Sequence, residues 1–191
     1  MAFLICIIAI TRPLGGFLKR VLEGEPHVLG RIFGPFERGI YRIAGIQQDR
    51  EQSWSQYAIA VIVFKIICFI AVYTLLRVQG FLPLNPNGMG GVAPDLAYNT
   101  AISFVTNTNW QSYAGETTMS HLSQMLALTV QNFVSAAAGI AIAMAVIRGF
   151  ARRKASSIGN FWTDLVRTTL YVLRNHPARD AGVFRRRWYC G

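Results

Sequence analysis

Residues 57–76 read YAIAVIVFKIICFIAVYTLL, an apolar run with a single charge, Lys65. At a helical rise of about 1.5 Å per residue such a run reaches about 30 Å, the thickness of a bilayer core. A second run, residues 122–147 (LSQMLALTVQNFVSAAAGIAIAMAVI), carries no charge and is long enough to cross with some tilt. A soluble protein buries one such helix with difficulty. Two in 191 residues predict an all-α integral membrane chain. Composition agrees: 52% of residues are hydrophobic and only 15% charged, against about 25% charged in soluble domains. Mean hydropathy is +0.33. A disordered chain is excluded. Besides a membrane protein, composition leaves a basic nucleic-acid binder with an apolar core.

Charge position separates these two. The net charge is +10. Arg12, Lys19, Arg20, Arg31, Arg38, Arg42 and Arg50 precede the first long run, and a second basic set begins at Arg148. Between Arg77 and His121 no further Lys or Arg occurs. The positive-inside rule therefore places 13–56 and 148–173 in the cytoplasm and 80–121 outside. The cluster Arg152, Arg153, Lys154 directly follows a span and is placed to meet anionic headgroups of membrane lipid rather than nucleic acid. Residues 2–10 are apolar but too short to span. Their first basic residue follows the run, and no A-x-A site occurs, which argues against a secretory signal. Residues 1–12 read instead as a truncated first membrane helix. Cys6, Cys68 and Cys190 form no disulfide framework.

The connection between spans 57–79 and 122–147 is too long for an ordinary helix–helix loop. Its first part, GFLPLNPNGMGGVAP (80–94), is rich in turn formers. A short helix is predicted over 94–105. Pro94 suits its first position, Asp95 its first turn, and Leu96, Thr100, Ser103 and Phe104 are helically spaced. Too short to cross, it reads as a re-entrant segment. The polar string TNTNWQ (106–111) follows. Polar, non-helical backbone at membrane depth is tolerated where it lines a water-filled path. Span, short pore helix, polar turn, span is the layout of one potassium-channel repeat, whose filter carbonyls replace the ion's hydration shell. That requires alternating backbone twist. Asn107 and Asn109 sit at alternate positions, and asparagine enters the left-handed region more readily than most residues. Pattern alone leaves two readings open, such a filter or an outside loop with an incidental Thr/Asn run.

The residues that carry a resemblance are NTAISFVTNTNWQSYAGETT (99–118) and LTVQNFVSAAAGIA (128–141). With them go RPLG (12–15), Asp49-Arg50-Glu51 with Trp54 and Tyr57, and LPLNP (82–86). Over about 11–173 the chain closely resembles the potassium-binding subunit (A chain) family of the Kdp-type potassium-transporting P-type ATPase. The resemblance implies a potassium-channel-like fold of four unequal pore repeats, of which this chain carries one, within roughly the first third of the subunit. It implies that Thr106, Asn107, Thr108 and Asn109 line the first filter segment for K⁺, and that Trp110, Gln111 and Ser112 support it at the outer mouth. It implies partners: a P-type ATPase catalytic subunit, a nucleotide-insertion subunit and a small hydrophobic subunit, in a bacterial plasma (inner) membrane. The family's first helix starts earlier than Met1. The family also continues as a membrane helix after residue 173, where this chain turns hydrophilic and Arg-rich (174–191), as a frameshift or truncation would produce. A chain with one filter segment is expected not to transport by itself.

No Asp-Lys-Thr-Gly string and no G-x-x-x-x-G-K-[ST] cradle occurs, so no nucleotide site is expected here and hydrolysis falls to a partner chain. His27, His121 and His176 are too scattered for a compact transition-metal site, and no G-x-S-x-G elbow occurs. Glu116 reads as an exposed acid near the outer mouth. Lys65 costs ~2.5–3.5 kcal/mol on insertion scales, and its residue type alone does not say whether it faces a helix or a cavity, or snorkels. Ser135, Gly139, Ala143 and Ala137, Ala141, Ala145 form small-residue stripes that suit close packing inside the subunit. Gln131 and Asn132 are expected to bond to the re-entrant segment. Tyr57, Tyr73 and Phe81 are placed as an aromatic belt, and Asn160 as the N-cap of an amphipathic segment over 160–173. The competing architecture is a stand-alone two-span cation channel that tetramerises.

Overall fold

The computed structural model describes residues 2–24, 28–151 and 157–173. His27, the basic cluster at 152–154, His176, Cys190 and the tail 174–191 lie outside the described residues. Among the described residues every regular element is helical. The chain forms two units, one spanning Arg50–Phe161 and the other made of the described residues of 1–49 and 162–173.

In the Arg50–Phe161 unit, helix α3 (Trp54–Val78) opens on a capping box. Gln56 N–H donates to Ser53 Oγ at 3.4 Å, and Ser53 N–H donates to Gln56 Oε1 at 3.1 Å. Two of the helix's orphan donors are thereby met reciprocally. With the 3₁₀ turn Gln79–Phe81 it makes a 28-residue apolar rod, Trp54–Phe81. Only 17% of its most apolar window is buried, and Ile59, Ile62, Ile66 and Ile70 all face outward. A soluble core helix would hide these side chains, and so large an outward apolar face belongs in lipid or against a partner.

The second rod, Ser123–Ala151, is 29 residues long. Its first part, Ser123–Thr129, is π-helical, and Val130 N–H reaches back five residues to the Met125 carbonyl. From Val130 to Ala151 it continues as helix α6. The Ala137, Ala141, Ala145 stripe is buried, as close packing within the subunit requires, whereas Gly139 and Ala143 face outward. Helix α4 (Pro94–Val105), with Pro94 at its start and Asp95 in its first turn, packs against both rods. The core beneath it holds Val72, Leu76, Ala97, Ala101, Phe104 and Leu128.

The 80–121 connection is folded around one side chain. Gln79 is fully buried, and its amide donates to the carbonyls of Gly90 (2.7 Å) and Thr118 (2.8 Å) while Oε1 accepts from Ser120 N–H (3.1 Å). One glutamine thus fastens both arms of the loop to the end of α3. Val92 N–H bonds Leu76 O at 3.1 Å, and a Cβ on Gly91 would run into the Arg77 carbonyl, so that approach requires glycine. A single turn, α5 (Gly115–Thr118), carries Glu116, which is exposed.

One sequence expectation is corrected here. Tyr57 is 3% exposed, and its hydroxyl donates to the Ala141 carbonyl at 2.9 Å. It ties the two rods together instead of lying in an outer aromatic belt. Phe81 is 94% exposed, and Tyr73 stacks on Phe69. Helix α7 (Phe161–Arg167) begins directly after Asn160, whose amide donates to Arg50 O, and the first N–H of the helix, on Phe161, donates to Gln52 Oε1 at 2.9 Å.

The other unit packs α1 (Ala2–Glu23) and α2 (Val28–Ala44) against the π-helical turn Thr168–Leu173. Helix α1 runs on through Pro13 past the apolar stretch. Glu37 organises this unit. It accepts from Tyr41 (2.7 Å) and Tyr171 (2.5 Å) and pairs with Arg167 at 3.1 Å. Burial works to raise its carboxyl, but the two phenols and the guanidinium together hold it below the usual carboxylate range.

Candidate functional site

The carbonyl end of α4 is where the polar string begins. A helix leaves its last four carbonyls without intrahelical donors. Here the chain folds back to meet them. Thr106 N–H bonds Ile102 O (2.9 Å), Asn107 N–H bonds Phe104 O (3.3 Å), and Thr108 and Asn109 N–H both bond Ser103 O (3.0 and 3.3 Å). Such a tight reversal needs left-handed backbone. Asn107 and Asn109 supply it, with φ of 64° and 55°. These are the two positions where residue type allows that conformation most cheaply.

The side chains reinforce the turn. Thr106 Oγ1 donates to Ile102 O (2.8 Å) and Thr108 Oγ1 to Ser103 O (3.1 Å). Asn109 Nδ2 donates to Asn107 Oδ1 at 3.3 Å, and Ser135 Oγ of the second rod donates to that same oxygen at 3.1 Å. Ser103 is fully buried and serves the turn twice: its carbonyl takes two N–H groups, and its hydroxyl donates to Trp110 O at 2.9 Å. Every N–H from 106 to 109 is therefore spent inward. Among the described residues none donates to the carbonyl oxygens of Thr106, Asn107, Thr108 or Asn109, and all four residues are exposed. An exposed turn with four unsatisfied backbone oxygens remains.

The structure thus brings Thr106, Asn107, Thr108 and Asn109 into one turn. Trp110 joins it through its carbonyl, with its indole about half exposed, while Gln111 and Ser112 are exposed beyond it. Gln131 and Asn132 do not make the expected bonds to this segment. Gln131 is buried with its amide nitrogen unpaired among the described residues, Asn132 faces outward, and the link comes from Ser135, one turn farther on. Lys65 acquires a definite place: Nζ donates to Val105 O at 2.6 Å, on the last residue of α4. Its mid-span position gave a signal of importance but not of partner. Ser103, Gln79 and Ser135 gave no comparable signal, because serine and glutamine on an apolar helix are common and their bonds are tertiary.

A family model described as "Potassium-transporting ATPase A subunit" matches residues 1–175. Among curated relatives, the potassium-transporting ATPase potassium-binding subunit of Granulibacter bethesdensis is 69% identical over 171 residues, covering 90% of this chain and 30% of the relative. The subunit of the same name from Rhodospirillum centenum is 60% identical over 173 residues, covering 91% of this chain and 30% of the relative. That of Chromobacterium violaceum is 58% identical over 171 residues, covering 90% and 28%. The chain therefore spans under a third of the length of the curated relatives it matches. With a match over nearly its whole length, the chain belongs to the family of potassium-transporting ATPase A subunits.

Proposed function

We propose that residues 106–109 form one filter segment of a potassium pathway, coordinating dehydrated K⁺ through the carbonyls of Thr106, Asn107, Thr108 and Asn109. The observation that carries this is the asymmetry of the turn, with all four N–H groups bonded back to α4 and all four carbonyls without a donor among the described residues. Potassium is large and gives up water to neutral oxygens held at fixed positions. Left-handed backbone at alternate residues turns successive peptide planes toward one side, which a regular helix or strand cannot do. Helix α4 then acts as the re-entrant pore helix, and Trp110, Gln111 and Ser112 border the outer mouth.

One such turn supplies part of a ring, so coordination needs further segments around the same axis. In this reading they come from the remainder of a channel-like subunit. Hydrolysis comes from a P-type catalytic partner, assembled with a nucleotide-insertion subunit and a small hydrophobic subunit. The two apolar rods cross a bacterial plasma membrane, with 80–121 outside and 13–56 and 148–173 in the cytoplasm.

The test uses a full-length relative in which residues 54–151 of this chain replace the matching stretch, expressed with its partners in a strain lacking potassium uptake. Growth at micromolar potassium is expected. Asn107→Pro, which fixes φ near −65° and removes the N–H bonded to Phe104, should abolish it while leaving growth at millimolar potassium. Undiminished micromolar growth of Asn107→Pro would overturn the reading. Micromolar growth supported by the 191-residue chain alone would point instead to a self-assembling two-span channel.

A further inference from the structure

Of the last carbonyls of α4, those of Ile102, Ser103 and Phe104 are met by N–H groups of the turn itself. The Val105 carbonyl is left over, because the chain reverses at Asn107 and Asn109 before another N–H can reach it. Val105 is 4% exposed, so water does not solve the problem. The donor is the ammonium of Lys65, forty residues earlier on α3, at 2.6 Å. That one contact explains two otherwise costly facts, a charge in the middle of an apolar rod and an orphan carbonyl at the end of a buried helix. It also places a cation where the helix dipole concentrates negative charge.

We propose that Lys65 is a positioning residue for the ion site. The Val105 carbonyl and the Thr106 N–H belong to one peptide plane. Holding that oxygen fixes the plane and hence the direction in which the next carbonyl, that of Thr106, points. Lys65 touches no ion in this arrangement; it sets the geometry of the first coordinating oxygen, and with it the discrimination between potassium and a slightly larger cation. The inference rests on the reading of residues 106–109 as ion-coordinating.

Two measurements test it together. The chain contains three lysines, Lys19, Lys65 and Lys154, and Val105 is its one valine followed by threonine. Labelling with ¹⁵Nζ-lysine, ¹³C′-valine and ¹⁵N-threonine therefore singles out the Val105 carbonyl by solid-state NMR of the full chain in lipid vesicles. A Lys65 Nζ to Val105 C′ dipolar contact is expected, absent in Lys65→Met. In the assembled complex carrying residues 54–151, Lys65→Met should raise the ratio of the half-saturating potassium concentration to that of rubidium about fivefold, with maximal turnover little changed. Lys65→Arg, which keeps a donor and a charge, should lose less. Absence of the dipolar contact overturns the inference. So does unchanged discrimination in Lys65→Met where Asn109→Val alters it. Unchanged discrimination in both variants overturns the filter reading, and the inference with it.

Discussion

The two membrane-length rods hold the same turn by opposite means. The rod Trp54–Phe81 is regular α-helix until its last turn and is mostly outward-facing, and it acts through single polar groups. Lys65 reaches the end of α4, and Gln79 fastens the arms of the connection. The rod Ser123–Ala151 is more buried, starts π-helical, and acts through smallness. Its alanine stripe is buried, and Ser135 on the same rod reaches Asn107. A polar clamp is specific but brittle. A packed stripe spreads its stabilisation over many weak contacts. Substitutions in the two rods should therefore fail differently.

The largest effect is expected at Gln79. Gln79→Leu leaves the part-buried carbonyls of Gly90 and Thr118 and the buried N–H of Ser120 without their partner, so the Arg50–Phe161 unit should lose on the order of 2–3 kcal/mol. Thermal unfolding of the chain in detergent would show it. A loss below that of a lone surface bond would mean the polar clamp is not what holds the connection.

Ala141→Leu comes next, at about 1–3 kcal/mol from overpacking. The same detergent assay should show it, and Ala143→Leu, on the outward face, should be nearly silent. Equal effects at the two positions would refute the assignment of the buried stripe. Ser135→Ala should be smaller, about 1 kcal/mol for one hydrogen bond. Its signature is faster amide exchange at Asn107 and Asn109 with global unfolding little moved.

Glu37 lies in neither rod and serves as the control. Its folded-state carboxyl sits below the usual range, so its stabilising effect is complete above the ordinary carboxylate pKa and is lost as pH falls through the lowered one. Acidification should loosen the α1–α2 unit, seen by tyrosine fluorescence through Tyr41 and Tyr171. Glu37→Gln should flatten that pH dependence and leave exchange at 106–109 unchanged.

Local chemistry made part of this legible from sequence. Pro94 and Asp95 mark where α4 starts, and Asn107 and Asn109 mark the left-handed positions, because proline's fixed φ and asparagine's tolerance of αL act within one residue. The long apolar runs marked the rods. Bonds between distant residues were not legible. Nothing in the neighbourhood of Lys65 names Val105, and nothing near Ser103 announces that its carbonyl will take two N–H groups. Gln131 and Asn132 drew attention as polar residues on an apolar helix, yet rotation about the helix axis carries Ser135 to the turn instead. The π-helical opening of the second rod shifts that rotation, and hydrophobic period does not reveal it.

The central claim is that backbone carbonyls, not side chains, make the site. The most direct measurement compares Asn109→Gly with Asn109→Val in the complex carrying residues 54–151, by the potassium concentration giving half-maximal ATPase activity. Glycine keeps the left-handed φ of 55° and discards the side chain, whereas valine resists that φ. The glycine variant should stay close to the parent, and the valine variant should need about tenfold more potassium. Equal behaviour of the two variants, in either direction, would contradict coordination by the backbone.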